Sequence, residues 1–143
     1  VRREFAQHEL LKDDRMSHLE GVGDRRLLAL GAILAGVGVA ASAFGAHGLR
    51  EHLSAERLEV FRTAAMYQML HGIAIVAVAG AMSHFHRGRM RLACWLFVAG
   101  IALFSGSLYA LSLSGITALG IITPLGGAAF LAGWLMVALG ASR

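Results

Sequence analysis

Apolar residues run in four long stretches along this chain, beginning near Leu27, Thr63, Leu92 and Ala118, with short polar segments between them. Each stretch supplies about 20 residues, enough to cross a hydrocarbon core of about 30 Å as α-helix. The pattern predicts spans over roughly residues 27–46, 63–82, 92–111 and 118–140. The expected fold is an all-α membrane protein, an antiparallel four-helix transmembrane bundle with both termini cytoplasmic. Two regions follow: a polar amino-terminal tail over residues 1–26 and a four-span transmembrane domain over 27–141.

The segments outside the spans leave choices open. In the tail, Phe5, Leu10, Leu11 and Met16 could form an interfacial helix lying in a headgroup layer, and a disordered tail fits equally. Between the first two spans, Leu53, Leu58, Phe61 and Ala65 leave a partly apolar stripe, and Ser54 could cap a helix there. That segment reads as a short surface helix or as an extension of the second span. The connection at 112–115 is short and uncharged, which forces the last two spans into a hairpin.

Charge distribution orients the bundle. The amino tail, the loop with Arg87, Arg89 and Arg91, and Arg143 hold ten of the thirteen basic residues. Arg50, Arg57 and Arg62 stand on the other side, alternating with Glu51, Glu56 and Glu59. By the positive-inside rule the basic-rich side, with both termini, faces the cytoplasm. All nine acidic residues lie at or before Glu59, and residues 92–141 carry no charge. A soluble chain this small has too much surface for that. The basic residues sit beside apolar spans, so they read as groups facing anionic lipid and not nucleic acid. Cys94 is the lone cysteine, which excludes an intrachain disulfide and a thiolate metal cluster. The first apolar stretch lacks a signal peptide's short core and cleavage pattern and reads as a retained span.

Small residues recur at helical spacing: Gly31, Ala35, Gly38, Ser42 and Gly45 in the first span, Gly72 and Gly80 in the second, Gly126, Gly133 and Gly140 in the fourth. Such faces let backbones approach, and van der Waals packing then replaces the hydrophobic drive that lipid removes. Trp95 is placed for an aromatic belt, and Trp134 lies deeper.

Polar side chains gather on the far half. His47 ends the first span; Tyr67, Gln68 and His71 lie in the second, with Tyr67 and His71 sharing a face. Ser105, Ser107 and Tyr109 lie in the third span, and Thr123 and Pro124 open the fourth. An unsatisfied polar group in hydrocarbon is costly, so an interhelical hydrogen-bond network among these residues is the first expectation. A pocket open to the far side is the second. A haem held by His47 and His71 is a weaker third; zinc is weaker still, lacking further ligands at that depth. His84 and His86 lie beside arginines and read as solvated or interfacial, not as metal ligands. Pro124 suits a helix first turn, with Thr123 or a neighbour as cap, or else a discontinuous helix whose backbone meets a substrate.

Several ordered motifs carry a resemblance. Phe44-Gly45-Ala46-His47-Gly48-Leu49, Tyr67-Gln68 with His71, Phe104-Ser105-Gly106-Ser107-Leu108-Tyr109, Thr123-Pro124-Leu125-Gly126-Gly127 and Ala132-Gly133-Trp134 resemble the DUF423 family, over about residues 27–141. That family comprises small four-span bacterial inner-membrane proteins and is similar to eukaryotic transmembrane protein 256. The resemblance implies membrane location and four helices, and no catalytic residue. It marks His47, His71 and the segments 105–109 and 123–127 as one cluster to test.

The expected role is non-enzymatic: an accessory or scaffold subunit of the bacterial inner membrane, associating with lipids and with copies of itself or a larger complex, without cofactor, metal or nucleic acid. The alternative is a small carrier or channel for a neutral solute or proton. An enzyme or electron-transfer subunit lacks a nucleophile–base pair or ligand set and ranks last.

Overall fold

The computed structural model describes residues 24–142 in full. The first helix is assigned from Arg2, but its side chains before Asp24 lie outside the described residues, and so does the interfacial contact expected of Phe5, Leu10, Leu11 and Met16. The elements are α1 (Arg2–His47), α2 (Ala55–Gly80), α3 (Arg87–Gly100), α4 (Gly106–Ser114) and α5 (Thr123–Ala141). Four rods are long and apolar enough to cross a membrane: Asp24–His47, Ala55–Gly80, Arg87–Ser114 and Thr117–Ala141.

Each rod starts where local chemistry allows. Ser54 is extended (φ −61°, ψ 157°), and its hydroxyl accepts the Arg57 N–H at 3.4 Å, satisfying one of the orphan donors of a helix start. Residues 55–62 are therefore an extension of the second span and not a separate surface helix. His86 caps α3 by accepting the Arg89 N–H at 3.5 Å. The third span is one rod interrupted by a π-turn at Ile101–Ser105, where the Gly106 N–H reaches back to the Ile101 carbonyl. Gly115 ends α4 in the left-handed conformation (φ 78°), which glycine adopts without a Cβ penalty.

The fourth rod is composite. A 3-10 turn at Thr117–Ile121 leads into α5, and Pro124 occupies the first helical turn. No side chain caps this start, and that corrects the expectation that Thr123 or a neighbour would do so. The Thr123 hydroxyl is committed to Ser107 instead, at 2.8 Å.

Packing is built on glycine. A Cβ at Gly31 would fall 2.8 Å from the Ile75 side chain, one at Gly38 2.8 Å from the Met69 backbone nitrogen, and one at Gly45 2.9 Å from the Phe61 ring. These contacts lay α1 along α2. The main core lies between α2, α3 and α5, around Ile75, Met82, Met90, Cys94, Phe97 and Phe130; Leu49, Leu58 and Phe61 form a smaller cluster near the α1–α2 connection. The outer face of α1 stays open, with Ile33, Val37, Val39 and Phe44 more than half exposed.

Arginines latch the rod ends. Arg57 donates through Nε to the Ser112 carbonyl and through Nη2 to that of Leu113, both at 2.6 Å. Arg89 donates to the Leu139 carbonyl at 2.6 Å. Both place a cation on helix C-terminal carbonyls that lack intrahelical partners.

Candidate functional site

The predicted polar residues do not form one network; they divide into groups set by the face each occupies. His71 is the centre of the first. Its Nδ1 lies 2.9 Å from the Tyr67 carbonyl, and a carbonyl only accepts, so Nδ1 carries the proton. Nε2 is then an acceptor, and it takes the Trp134 indole N–H at 3.3 Å. Both ring nitrogens of a neutral imidazole are thereby engaged, across α2 and α5.

Aromatic rings enclose this group. Phe130 stacks on His71 with centroids 3.5 Å apart and planes 10° apart. Phe97 approaches both His71 (5.4 Å) and Trp134 (5.0 Å). Tyr67 packs on Phe104 at 4.7 Å, and Phe104 on Phe130 at 5.6 Å. The middle of the molecule is a stack of rings contributed by α2, α3, the π-turn and α5. Glycines make room for it: a Cβ at Gly100 would collide with the Phe130 ring, and one at Gly126 with the backbone of Phe104.

Gln68 faces the other way. Its amide donates to the Leu34 carbonyl at 3.0 Å and joins α2 to α1. A third group joins the third and fourth rods: Thr123 donates to Ser107, whose single proton goes on to the Phe104 carbonyl at 3.0 Å. Ser105 and Tyr109 differ from all of these. Both hydroxyls are buried without a hydrogen-bond partner. Ser105 closes the π-turn, and Tyr109 lies one turn later against Phe61, with centroids at 4.9 Å.

His47 joins none of these groups. It sits exposed at the end of α1. Gly72 packs against Ala35, so His47 lies a dozen residues, or about 18 Å, further along α1 from the level of His71. The haem pairing weighed for these two histidines is therefore not formed, because the helix register separates them. Among the described residues, no three His, Cys, Asp or Glu side chains cluster as metal ligands.

Two features escaped the sequence reading. The first is the bond from Trp134 to His71: an indole N–H at mid-depth demands an acceptor, and His71 offers one at that level. The second is an ion cluster at the opposite end from His47. Asp24 accepts from Arg87 through Oδ2 (Nη2 at 2.7 Å, Nε at 3.1 Å) and from Arg91 through Oδ1 at 3.3 Å. Its carboxylate is only 13% exposed. An acid at the edge of an apolar span, on the side that also holds three loop arginines, was the available signal.

The family described as "Protein of unknown function (DUF423)" matches residues 41–127. UPF0382 membrane protein SSP2132 of Staphylococcus saprophyticus is 45% identical over 113 residues, 79% of this chain and 93% of its own length. UPF0382 membrane protein YwdK of Bacillus subtilis is 44% identical over 117 residues, covering 81% and 95%. A Haemophilus influenzae UPF0382 membrane protein is 44% identical over 106 residues, covering 73% and 84%. No solved structure matches the chain. With matches of this extent and four rods able to cross a bilayer, the chain belongs to the DUF423/UPF0382 family of small multi-span bacterial membrane proteins of unknown function.

Proposed function

We propose that this protein is a non-enzymatic accessory or scaffold subunit of the inner membrane, an antiparallel four-span bundle with both termini cytoplasmic. The observation that carries the reading is the ring stack around His71. Both imidazole nitrogens are occupied and Phe130 lies flat on the ring at 3.5 Å, so the middle of the bundle is filled where a carrier would need a path. The exposed small residues Ala32, Gly36, Ala40 and Ala43 of α1 add support, since close helix association in lipid depends on small residues. The opposite order of contacts along α1 and α2 supports the antiparallel arrangement, Gly31 meeting Ile75 and Gly45 meeting Phe61. The arginine-rich end around Asp24 supports the cytoplasmic assignment.

The test is extraction of the native protein in mild detergent, followed by mass determination and identification of what copurifies. A stoichiometric partner, lost on substitution along α1, is the expected result. A bare monomer would overturn the reading.

A second reading, a small carrier or channel for a neutral solute or proton, is favoured by one observation. Ser105 and Tyr109 hold unpaired buried hydroxyls beside a π-turn, and π-turns are frequent at functional sites. Solute flux in vesicles that falls with Ser105→Ala and Tyr109→Phe would establish it.

A further inference from the structure

At the end of the bundle held by Asp24, a groove of about 350 Å³ opens between the first and third spans. It is lined by Arg26, Leu27, Leu30, Arg91 and Trp95. We propose that this groove is a specific site for an anionic glycerophospholipid, with the phosphate held by Arg26 and Arg91 and the upper acyl chain laid on Leu30 and Trp95.

The argument rests first on the order of groups along each wall. On α1 the cation Arg26 is followed one turn later by Leu30; on α3 Arg91 is followed one turn later by Trp95. Four residues of helix advance about 6 Å. Both walls therefore pass from guanidinium to apolar surface over the same distance, starting from the ends that Asp24 joins to Arg87 and Arg91. A phospholipid has that gradient, and a free anion does not. Trp95, 53% exposed, also has the amphipathic ring that settles at the level of the glycerol and carbonyl groups.

Charge is the second argument. Arg87 and Arg91 both contact Asp24, and Arg26 stands on the facing wall of the groove. Arg87 makes the two shorter contacts to Asp24, while Arg91 makes one at 3.3 Å and keeps further N–H donors in its planar fork. Arg26 is exposed at the mouth. Arg26 and Arg91 thus stand on the two walls of the groove, two guanidinium groups of the kind that recognises phosphate. Asp24 acts here as a positioning residue that fixes the Arg91 guanidinium beside the groove.

The experiment uses the full chain in phosphatidylcholine vesicles, titrated with phosphatidylglycerol or phosphatidylcholine bearing the same brominated acyl chains. Tryptophan quenching reports binding, and a Trp95→Phe protein measured in parallel removes the Trp134 contribution. The expected result is tighter association of brominated phosphatidylglycerol, falling about fivefold in Arg26→Gln and further in Arg26→Gln/Arg91→Gln. Arg62→Gln, at the other end, should keep the full preference. Equal quenching by both lipids, or a preference that survives the double variant, would overturn the site. Loss of the preference on adding millimolar inorganic phosphate would also overturn it, marking an anion site and not a lipid site. Should the double variant fail to fold, Arg26→Gln decides alone, because Arg26 is not part of the Asp24 cluster.

Discussion

Two seams hold this bundle, and they use glycine for different ends. Between α1 and α2, glycine removes side chains so that backbone meets backbone: a Cβ at Gly72 would stand 2.5 Å from the Ala35 nitrogen, and one at Gly38 2.8 Å from that of Met69. Between α3 and α5, glycine leaves holes that larger side chains fill. A Cβ at Gly133 would meet the Phe97 ring at 2.5 Å, and one at Gly140 the Met90 methyl at 2.8 Å. Each seam has an exception: Gly126 is pressed on the backbone of Phe104 within the π-turn, and Gly45 in the first seam meets the Phe61 ring. The first seam is close and depends on main-chain contact; the second is wider and filled by aromatic packing. A small-residue face therefore does not by itself say which kind of contact it makes.

The largest expected effect comes from Gly72→Ala. The obstacle is the Ala35 backbone, which no rotamer change can move, so α1 must shift away from α2. Overpacking of this kind costs about 1–3 kcal/mol, and the upper end applies here. Thermal unfolding in detergent should show a clear loss, and truncating Ile75 in the same chain should not restore it. A Gly72→Ala protein as stable as the parent would remove the main-chain contact from the first seam.

Gly133→Ala should cost less, about 1 kcal/mol, because the Phe97 ring can yield. Here a second change sharpens the comparison. Phe97→Leu makes space for the added methyl, so the double variant should be more stable than the sum of the single losses predicts. A coupling of at least about 0.5 kcal/mol is expected for residues in contact. Absence of coupling would mean that the two seams do not differ in the way described.

Gln68→Leu probes the polar part of the first seam. The amide donates to the Leu34 carbonyl, which as a helix-interior acceptor keeps its other partners when the bond is lost. Interhelical hydrogen bonds in membranes average about 0.6 kcal/mol, so a small loss in thermal stability is expected. A loss as large as that of Gly72→Ala would put the weight of the first seam on Gln68 and not on its glycines.

These seams also mark how far the sequence could be read. The four spans were legible because long charge-free runs have few alternatives, and Ser54 was legible as a cap because the hydroxyl acts on its own helix. The depth of each polar residue followed from its place in a span. Its azimuth did not, and azimuth decides partners: Gln68 and His71 are less than one turn apart, yet one reaches α1 and the other α5. The π-turn at Ile101–Ser105 carries no proline to announce it. Its effect is a rotation of everything after it, which local pattern cannot register. The separation of His47 from His71 likewise depends on the register of α1 against α2, and that is set by the fit of Gly72 on Ala35.

The smallest expected effect is that of Gly36→Ala. Gly36 lies on α1 opposite the seam, and a Cβ there would meet nothing within 4 Å. Alanine is the better helix former by up to about 1 kcal/mol in water, so stability should stay level or rise slightly. The same residue type in the same helix thus changes sign with the face it occupies, and Gly31→Ala, which meets Ile75 and the Gly72 carbonyl, is the matched opposite. The comparison extends beyond the single chain. A larger group at this position, as in Gly36→Leu, should leave the monomer's thermal unfolding unchanged while altering the mass of the complex extracted in mild detergent, if α1's outer face is covered by another protein. An unchanged mass together with unchanged unfolding would assign that face to lipid, and would shift the search for a partner to the exposed surface of α5, around Leu131 and Leu135.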